Sequence, residues 1–149
     1  MKVLIVFDTK YGNTQRVAEL IADGFNSVDG NETEVVNVKN FEFNKDKAYN
    51  LILIGSPNHG GYHTKKIKEF ISNLSKSSIE VNSIAGFDTH TGKYFNAVKK
   101  MEKQINKIFP NSTNTLPGLS VKLNGIKGPI VEDNLPKCKE YGIKLAKKE

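Results

Sequence analysis

Val3-Leu4-Ile5-Val6-Phe7 runs without a polar break into Asp8-Thr9-Lys10-Tyr11-Gly12-Asn13-Thr14, and behind it Val17, Leu20, Ile21, Phe25 and Val28 recur at helical spacing. A short, largely β-branched run with no polar face suits a strand covered on both sides. Apolar residues three and four apart give the following helix one buried face. The same unit recurs down the chain. A second strand is expected at 34–38, and Leu51 to Ile54 has the buried look of the first. Ile67, Phe70, Ile71 and Leu74 form the next helical stripe, and Ile84 to Phe87 reads as a weaker fourth strand. Phe95, Val98, Met101, Ile105, Ile108 and Phe109 describe a helix that Pro110 ends. Leu119 to Leu123 alternates as a fifth strand. Leu135, Cys138, Tyr141, Gly142 and Leu145 give a last helix, with Pro136 in the first turn, where a missing N–H costs little.

Five strands and four helices in strict alternation imply right-handed crossovers, hence a doubly wound α/β fold with a parallel sheet between two helical layers. Periodicity alone leaves the strand order open. The order 2-1-3-4-5 would put a ligand at the carboxyl ends of strands 1 and 3, where the winding reverses.

With 149 residues, 38% of them apolar, the chain suits one domain spanning 1–149, without repeats, linkers or low-complexity tracts. Its longest apolar runs are far shorter than the roughly 20 residues that cross a bilayer. The start runs straight from the first strand into Asp8, so a cleaved leader is not expected, and a cytoplasmic location is. One cysteine, Cys138, excludes an internal disulfide and a cysteine-based metal cluster. Net charge is +6, which raises nucleic acid as a partner. Only Arg16 offers the guanidinium fork that reads base edges, and the lysines recur along the expected helices, so solvated helix faces are favoured.

The chemistry is expected in the loops that follow strands 1, 3 and 4. In Asp8 to Thr14, hydroxyls of Thr9 and Thr14, the glycine at Gly12, a capping Asn13 and the amides of a helix start make a cradle for a phosphate. The same residues also suit an ordinary capped turn. Without a Lys-Ser/Thr ending or three spaced glycines, a monophosphate fits better than a polyphosphate. Gly55-Ser56-Pro57-Asn58-His59-Gly60-Gly61-Tyr62-His63 offers amides, paired glycines and two rings for a planar ligand, or is a glycine-rich loop whose rings merely pack. Asp88-Thr89-His90-Thr91-Gly92-Lys93-Tyr94 is a third polar, ring-bearing loop on the same edge.

Phe7 to Thr14 with its amphipathic helix resembles the FMN-phosphate loop of flavodoxins, and Gly55 to Gly61 resembles the loop beside the flavin ring. Gly128-Pro129-Ile130 before Glu132 and Asp133 is similar to the C-terminal segment of that family, so the likeness covers essentially the whole chain, in its short-chain form. The resemblance implies an FMN phosphate on Thr9, Lys10, Tyr11, Gly12, Asn13 and Thr14. It implies a ring bordered by Pro57, Asn58, His59, Gly60 and Gly61, with His59 against one face and a reversible Gly60 peptide at flavin N5. Asp88, Thr89, His90, Gly92 and Tyr94 would complete the site, with His90 and Tyr94 on either side of the place where many flavodoxins put a second stacking Tyr. Flavodoxins are typically acidic around the flavin, whereas this chain is basic, so its redox partners are expected to dock an acidic face.

The function implied is a low-potential one-electron carrier with non-covalent FMN, working as a monomer between redox enzymes rather than converting a substrate. Alternatives are an FMN-dependent NAD(P)H:quinone-type oxidoreductase and a flavin-free interaction protein of the same shape. His59, His63 and His90 lack metal-ligand spacing, so no metal is expected. Asp8 lacks the acidic neighbours of a phosphate receiver, and Cys138 and Ser56 lack the partners of a nucleophile.

Overall fold

A computed structural model describes residues 1–43, 47–92 and 97–147. The strands are β1 (Lys2–Phe7), β2 (Glu32–Asn37), β3 (Ala48–Pro57), β4 (Glu80–His90), β5 (Asn114–Thr115) and β6 (Leu119–Lys122). The helices are α1 (Asn13–Asn26), α2 (Lys65–Lys76), α3 (Ala97–Ile108) and α4 (Asn134–Ala146), with a short 3₁₀ turn at Val38–Asn40. The order is β2-β1-β3-β4, followed by β5 and β6, which both pair β4, and every pairing is parallel. The expected doubly wound fold with order 2-1-3-4-5 is therefore present.

The unbroken apolar runs are explained by the two-sided burial of the sheet. Val3, Ile5 and Phe7 of β1 point into one core with Leu51, Leu53 and Phe87, beneath Val17, Ile21 and Phe25 of α1 and Cys138 and Leu145 of α4. Leu4 and Val6 point the other way, with Ile52, Ile54 and Ile84, onto Ile67, Phe70, Ile71 and Leu74 of α2 and Met101 and Ile105 of α3. Each such side chain contributes roughly 1.5–3 kcal/mol on burial. Helices α1 and α4 cross at two glycines: a Cβ on Gly24 would lie 2.2 Å from the Lys139 carbonyl oxygen, and one on Gly142 would lie 2.2 Å from that of Ile21.

Several boundaries differ from the sequence expectation. β3 and β4 extend beyond their apolar runs because the sheet continues to pair them out to Pro57 and Thr89. The fifth sheet position is shared by two pieces. β5 pairs Ser83 and Ile84, β6 pairs Phe87 to His90, and Leu116 to Gly118 passes between them, with Gly118 so close that a Cβ would lie 2.5 Å from the Gly86 carbonyl oxygen. Leu123 falls just past β6 and bridges Ile130. Val28 lies beyond α1 yet packs on its core. Phe95, expected in the third helix, is outside the described residues, as are Lys93 and Tyr94.

Candidate functional site

The carboxyl edge of the sheet carries a cleft of about 430 Å³, within the usual range for small-ligand sites. It is lined by the loop after β1, the loop after β3, the end of β4 and the segment after β6.

The first wall starts where β1 ends. Asp8 is nearly buried and its Oδ1 accepts from the amide of Thr9 at 2.9 Å, while Thr9 Oγ1 accepts from the amide of Gly12 at 3.0 Å. Gly12 sits at φ +90° and is itself the N-cap of α1, with no side-chain cap bond. This corrects the expectation that Asn13 caps the helix: Asn13 is its first residue, and its side chain lies where a Cβ on Gly128 would come within 2.4 Å of Oδ1. The loop bonds inwardly through Thr9 and Gly12. Among the described residues, the amides of Lys10, Tyr11, Asn13 and Thr14 donate to no protein acceptor. All four residues line the cleft, so unsatisfied donors and the positive end of α1 meet there. The buried Thr14 hydroxyl lies 3.0 Å from that of Thr89, tying this wall to the end of β4.

The second wall is a hairpin. The amide of His59 donates to the Tyr62 carbonyl at 2.8 Å and the amide of Tyr62 donates back to His59 at 3.1 Å. The two residues between, Gly60 at φ +61° and Gly61 at φ +90°, give the type I′ turn that only such residues adopt without strain. Asn58 Oδ1 accepts from the Gly61 amide at 2.8 Å, and the Asn58 amide donates to the Thr89 carbonyl at 2.9 Å. A Cβ on Gly60 would meet nothing within 4 Å, so the turn has open space before it. Ser56 Oγ accepts from the Thr64 amide at 3.0 Å, and Thr64 caps α2 through Ile67, which leads the loop directly into a fixed helix.

His63 lies outside the cleft, behind the hairpin. Gln104 donates from Nε2 to the Lys68 carbonyl at 3.0 Å, so its Oε1 faces His63 Nε2, 2.7 Å away, and that ring nitrogen carries the proton. Burial pushes the His63 pKa below its usual value, and Lys68 adds to the shift, against the opposing pull of the bond His63 donates to Gln104.

On the third side, His90 Nδ1 accepts from the Gly92 amide at 2.8 Å, curling the chain after β4. Burial, reinforced by Lys122, lowers the His90 pKa, so the ring is neutral near pH 7. Asp88 points away from the cleft: it is fully buried and its Oδ2 accepts from the Val98 amide in the first turn of α3, at 3.1 Å. Burial raises its pKa to about 6, against the opposing pull of the Val98 amide and the Ser120 hydroxyl.

Of the residues singled out from the sequence, the cleft gathers Thr9, Lys10, Tyr11, Asn13, Thr14, Pro57, Asn58, His59, Gly60, Thr89 and His90. Gly12 and Gly61 shape its loops from behind, Asp88 and Gly92 lie outside it, and Tyr94 is outside the described residues. Thr91, Leu123 and Ile126 line it and were not anticipated. Ile126 is 74% exposed, an apolar side chain with no partner from its own segment, and with Leu123 it offers apolar surface to whatever enters. Its one sequence signal is an isolated apolar residue in the polar stretch Asn124 to Gly128.

The residues fit a flat, phosphate-bearing ligand on three counts: open amides at one end, glycine turns that leave room before them, and apolar and ring-bearing walls between. Comparison with known proteins points the same way. The family model described as flavodoxin matches residues 5–138. A flavodoxin of Aquifex aeolicus is 35% identical over 75 residues, which span 49% of this chain and 40% of that protein. Among solved structures, an archaeal flavodoxin superposes with a TM-score of 0.77 at 20% identity, over 99% of this chain and 98% of the other. Oxidised flavodoxin 1 from Bacillus cereus gives 0.76 at 21% identity, over 100% and 99%. On the family match over most of its length, and on a fold shared from end to end, the chain belongs to the flavodoxin family, whose members carry FMN and transfer electrons.

Proposed function

We propose that this protein is a low-potential carrier of single electrons, a monomer that holds FMN non-covalently in the cleft and passes electrons between redox proteins. The observation that carries the reading is the set of amides at Lys10, Tyr11, Asn13 and Thr14, which donate to no acceptor among the described residues and belong to residues lining a cleft whose remaining walls are glycine turns, rings and apolar side chains. Bound FMN would supply a ring system able to accept and release electrons one at a time.

The chain's own residues do the rest. The amides of the 9–14 loop bind the phosphate, with the Thr9, Asn13 and Thr14 side chains beside them. Preorganised N–H groups at a helix start hold an anion without a mobile cation, which leaves Lys10 free to lie over the Tyr11 ring. Pro57 to Gly61 would border the ring system, with His59 the ring-bearing residue and the Gly60 peptide free to reverse in the open space before it. Thr89 and His90 would close the opposite side, with the Gly92 amide holding the His90 ring and Asp88 fixing the start of α3. Leu123 and Ile126 exclude water from the apolar part of the ring. His59 and Gly60 are exposed at the mouth, where a docked protein can reach the site directly.

A titration of the purified protein with FMN and, separately, with riboflavin tests this. FMN should bind with a shifted flavin spectrum, and riboflavin, which lacks the phosphate, should bind at least about 100-fold more weakly because the open amides then have no anion to bond. Equal affinities would remove the phosphate role of the 9–14 loop. No binding of either would remove the function.

A further inference from the structure

Two exposed tyrosines flank the cleft, Tyr11 lining it and Tyr62 closing the hairpin that forms its second wall, and each is attended by two lysines. Tyr11, 43% exposed, has the Lys10 ammonium 5.5 Å from its ring centroid and that of Lys127 at 5.8 Å. Tyr62, 48% exposed, has Lys68 at 5.0 Å and Lys100 at 4.9 Å. The four lysines come from four separate segments: the loop after β1, the segment after β6, α2 and α3. A cation over an aromatic face is attracted by the ring quadrupole, which biases a long side chain that would otherwise swing freely. Among the described residues the ion pairs are Lys47 with Glu34 and Lys99 with Glu102, and neither involves these four. The two tyrosines flanking the cleft therefore gather four positive charges, and among the described residues none of the four lysines is in an ion pair.

We propose that Tyr11 and Tyr62, with Lys10, Lys127, Lys68 and Lys100, form the docking rim for a partner protein whose own redox centre is ringed by carboxylates. The proposal rests on the reading of the cleft as the FMN site and adds the chemistry of the partner. A ring of like charge around a cleft speeds encounter with an oppositely charged surface and orients it toward the centre of the ring. Tyrosine is enriched at protein interfaces, where it buries area at low entropic cost. Duplex recognition would instead favour guanidinium groups and an extended stripe, and the rim has neither.

The test uses succinylated mitochondrial cytochrome c, which is acidic, and the unmodified basic protein, two acceptors that share one haem. The FMN-loaded protein, reduced beforehand, gives up one electron for each ferric haem that becomes ferrous. The succinylated acceptor should react faster, with a rate that falls steeply with salt. Lys68→Glu/Lys100→Glu should slow it at least about tenfold, and Lys68→Gln/Lys100→Gln by an intermediate factor, with FMN affinity unchanged. A control, Lys107→Glu/Lys144→Glu, carries the same charge change at the opposite edge of the sheet and should slow it less than about twofold. Equal losses in rim and control variants, or a faster reaction with the basic acceptor, would overturn the rim. A second arm measures binding of the succinylated protein to the flavin-free chain by calorimetry. A chain that stays colourless yet binds through Lys68 and Lys100 would sink the cofactor reading and leave the rim standing. Tighter binding of a 20-base-pair duplex, lost in the same variants, would reassign the rim to nucleic acid.

Discussion

Asn58 holds the amide of Gly61 through its side-chain oxygen at 2.8 Å, inside a turn closed at both ends by the paired backbones of His59 and Tyr62. Reversing the Gly60–Gly61 peptide would keep those closing bonds and break the one to Asn58. The turn would pass from type I′ to type II′, in which the first glycine keeps a positive φ and the second takes a negative one.

Gly60→Ala and Gly61→Ala should therefore act in opposite directions. Alanine at 60 suffers most in the reversed turn, and alanine at 61 suffers most in the present one, at φ +90°. If peptide reversal accompanies flavin reduction, Gly60→Ala should narrow the gap between the two one-electron midpoint potentials. Gly61→Ala and Asn58→Ala should widen it. About 1 kcal/mol of backbone strain corresponds to roughly 40 mV for one electron. Spectroelectrochemical titration reads all three, and shifts of one sign would dissociate the turn from the redox couple.

Asp88 makes a pH prediction. Its folded pKa of about 6 lies above its unfolded value of 3.8, so the folded state favours the protonated form. Its contribution is neutral below pH 4, becomes destabilising as pH rises from 4 to 6, and stays so above. Asp88→Asn keeps an acceptor for the Val98 amide and cannot ionise. Relative to wild type, the variant should gain about 2 to 3 kcal/mol between pH 4 and 7, measured by urea unfolding. A constant difference across that range would refute the buried-charge account.

For His63 the sign is opposite. Its folded pKa lies below the usual value, so the neutral ring contributes stability above the unfolded pKa, and that stability is lost as pH falls through it. Gln104→Glu places a carboxylate on Nε2 and should raise the His63 pKa above 6.5, as read from the imidazole nitrogen shifts. An unchanged titration would mean that burial alone sets it.

At the α1–α4 crossing, Gly24→Ala or Gly142→Ala forces a Cβ to within 2.2 Å of a backbone carbonyl oxygen. Backbone cannot yield as a side-chain end can, so each should cost about 2 to 4 kcal/mol in thermal or urea unfolding, despite the better helix propensity of alanine. A stabilised variant would show that the two helices can move apart freely.

The fold was legible where one residue type does one job. The runs of β1 and β3 are apolar on both faces because both faces are covered, and the stripe of α2 matches its buried residues. In α3 the expectation holds for Val98, Met101 and Ile105, whereas Ile108 is exposed and Phe109 lies past the helix end. β5 was not legible: two residues, Asn114 and Thr115, pair with β4 through backbone alone and leave no periodic mark. The loop after β1 could be read because its residues are contiguous. The wall made by Leu123 and Ile126 could not, since a local bridge from Leu123 to Ile130 shapes it and the approach of Gly128 to Asn13, a contact between segments far apart in sequence, brings it to the first loop.

The interior is two cores separated by the sheet, and the walls of the cleft hang from different ones. The 9–14 loop is continuous with α1 and hence with α4, while the 58–62 hairpin feeds α2 and, behind it, α3. A molecule gripped from both sides is thus a staple between hemispheres that the sheet separates. Hydrogen exchange in α1 and in α2 should slow together once the staple is in place, although the two helices pack on different cores.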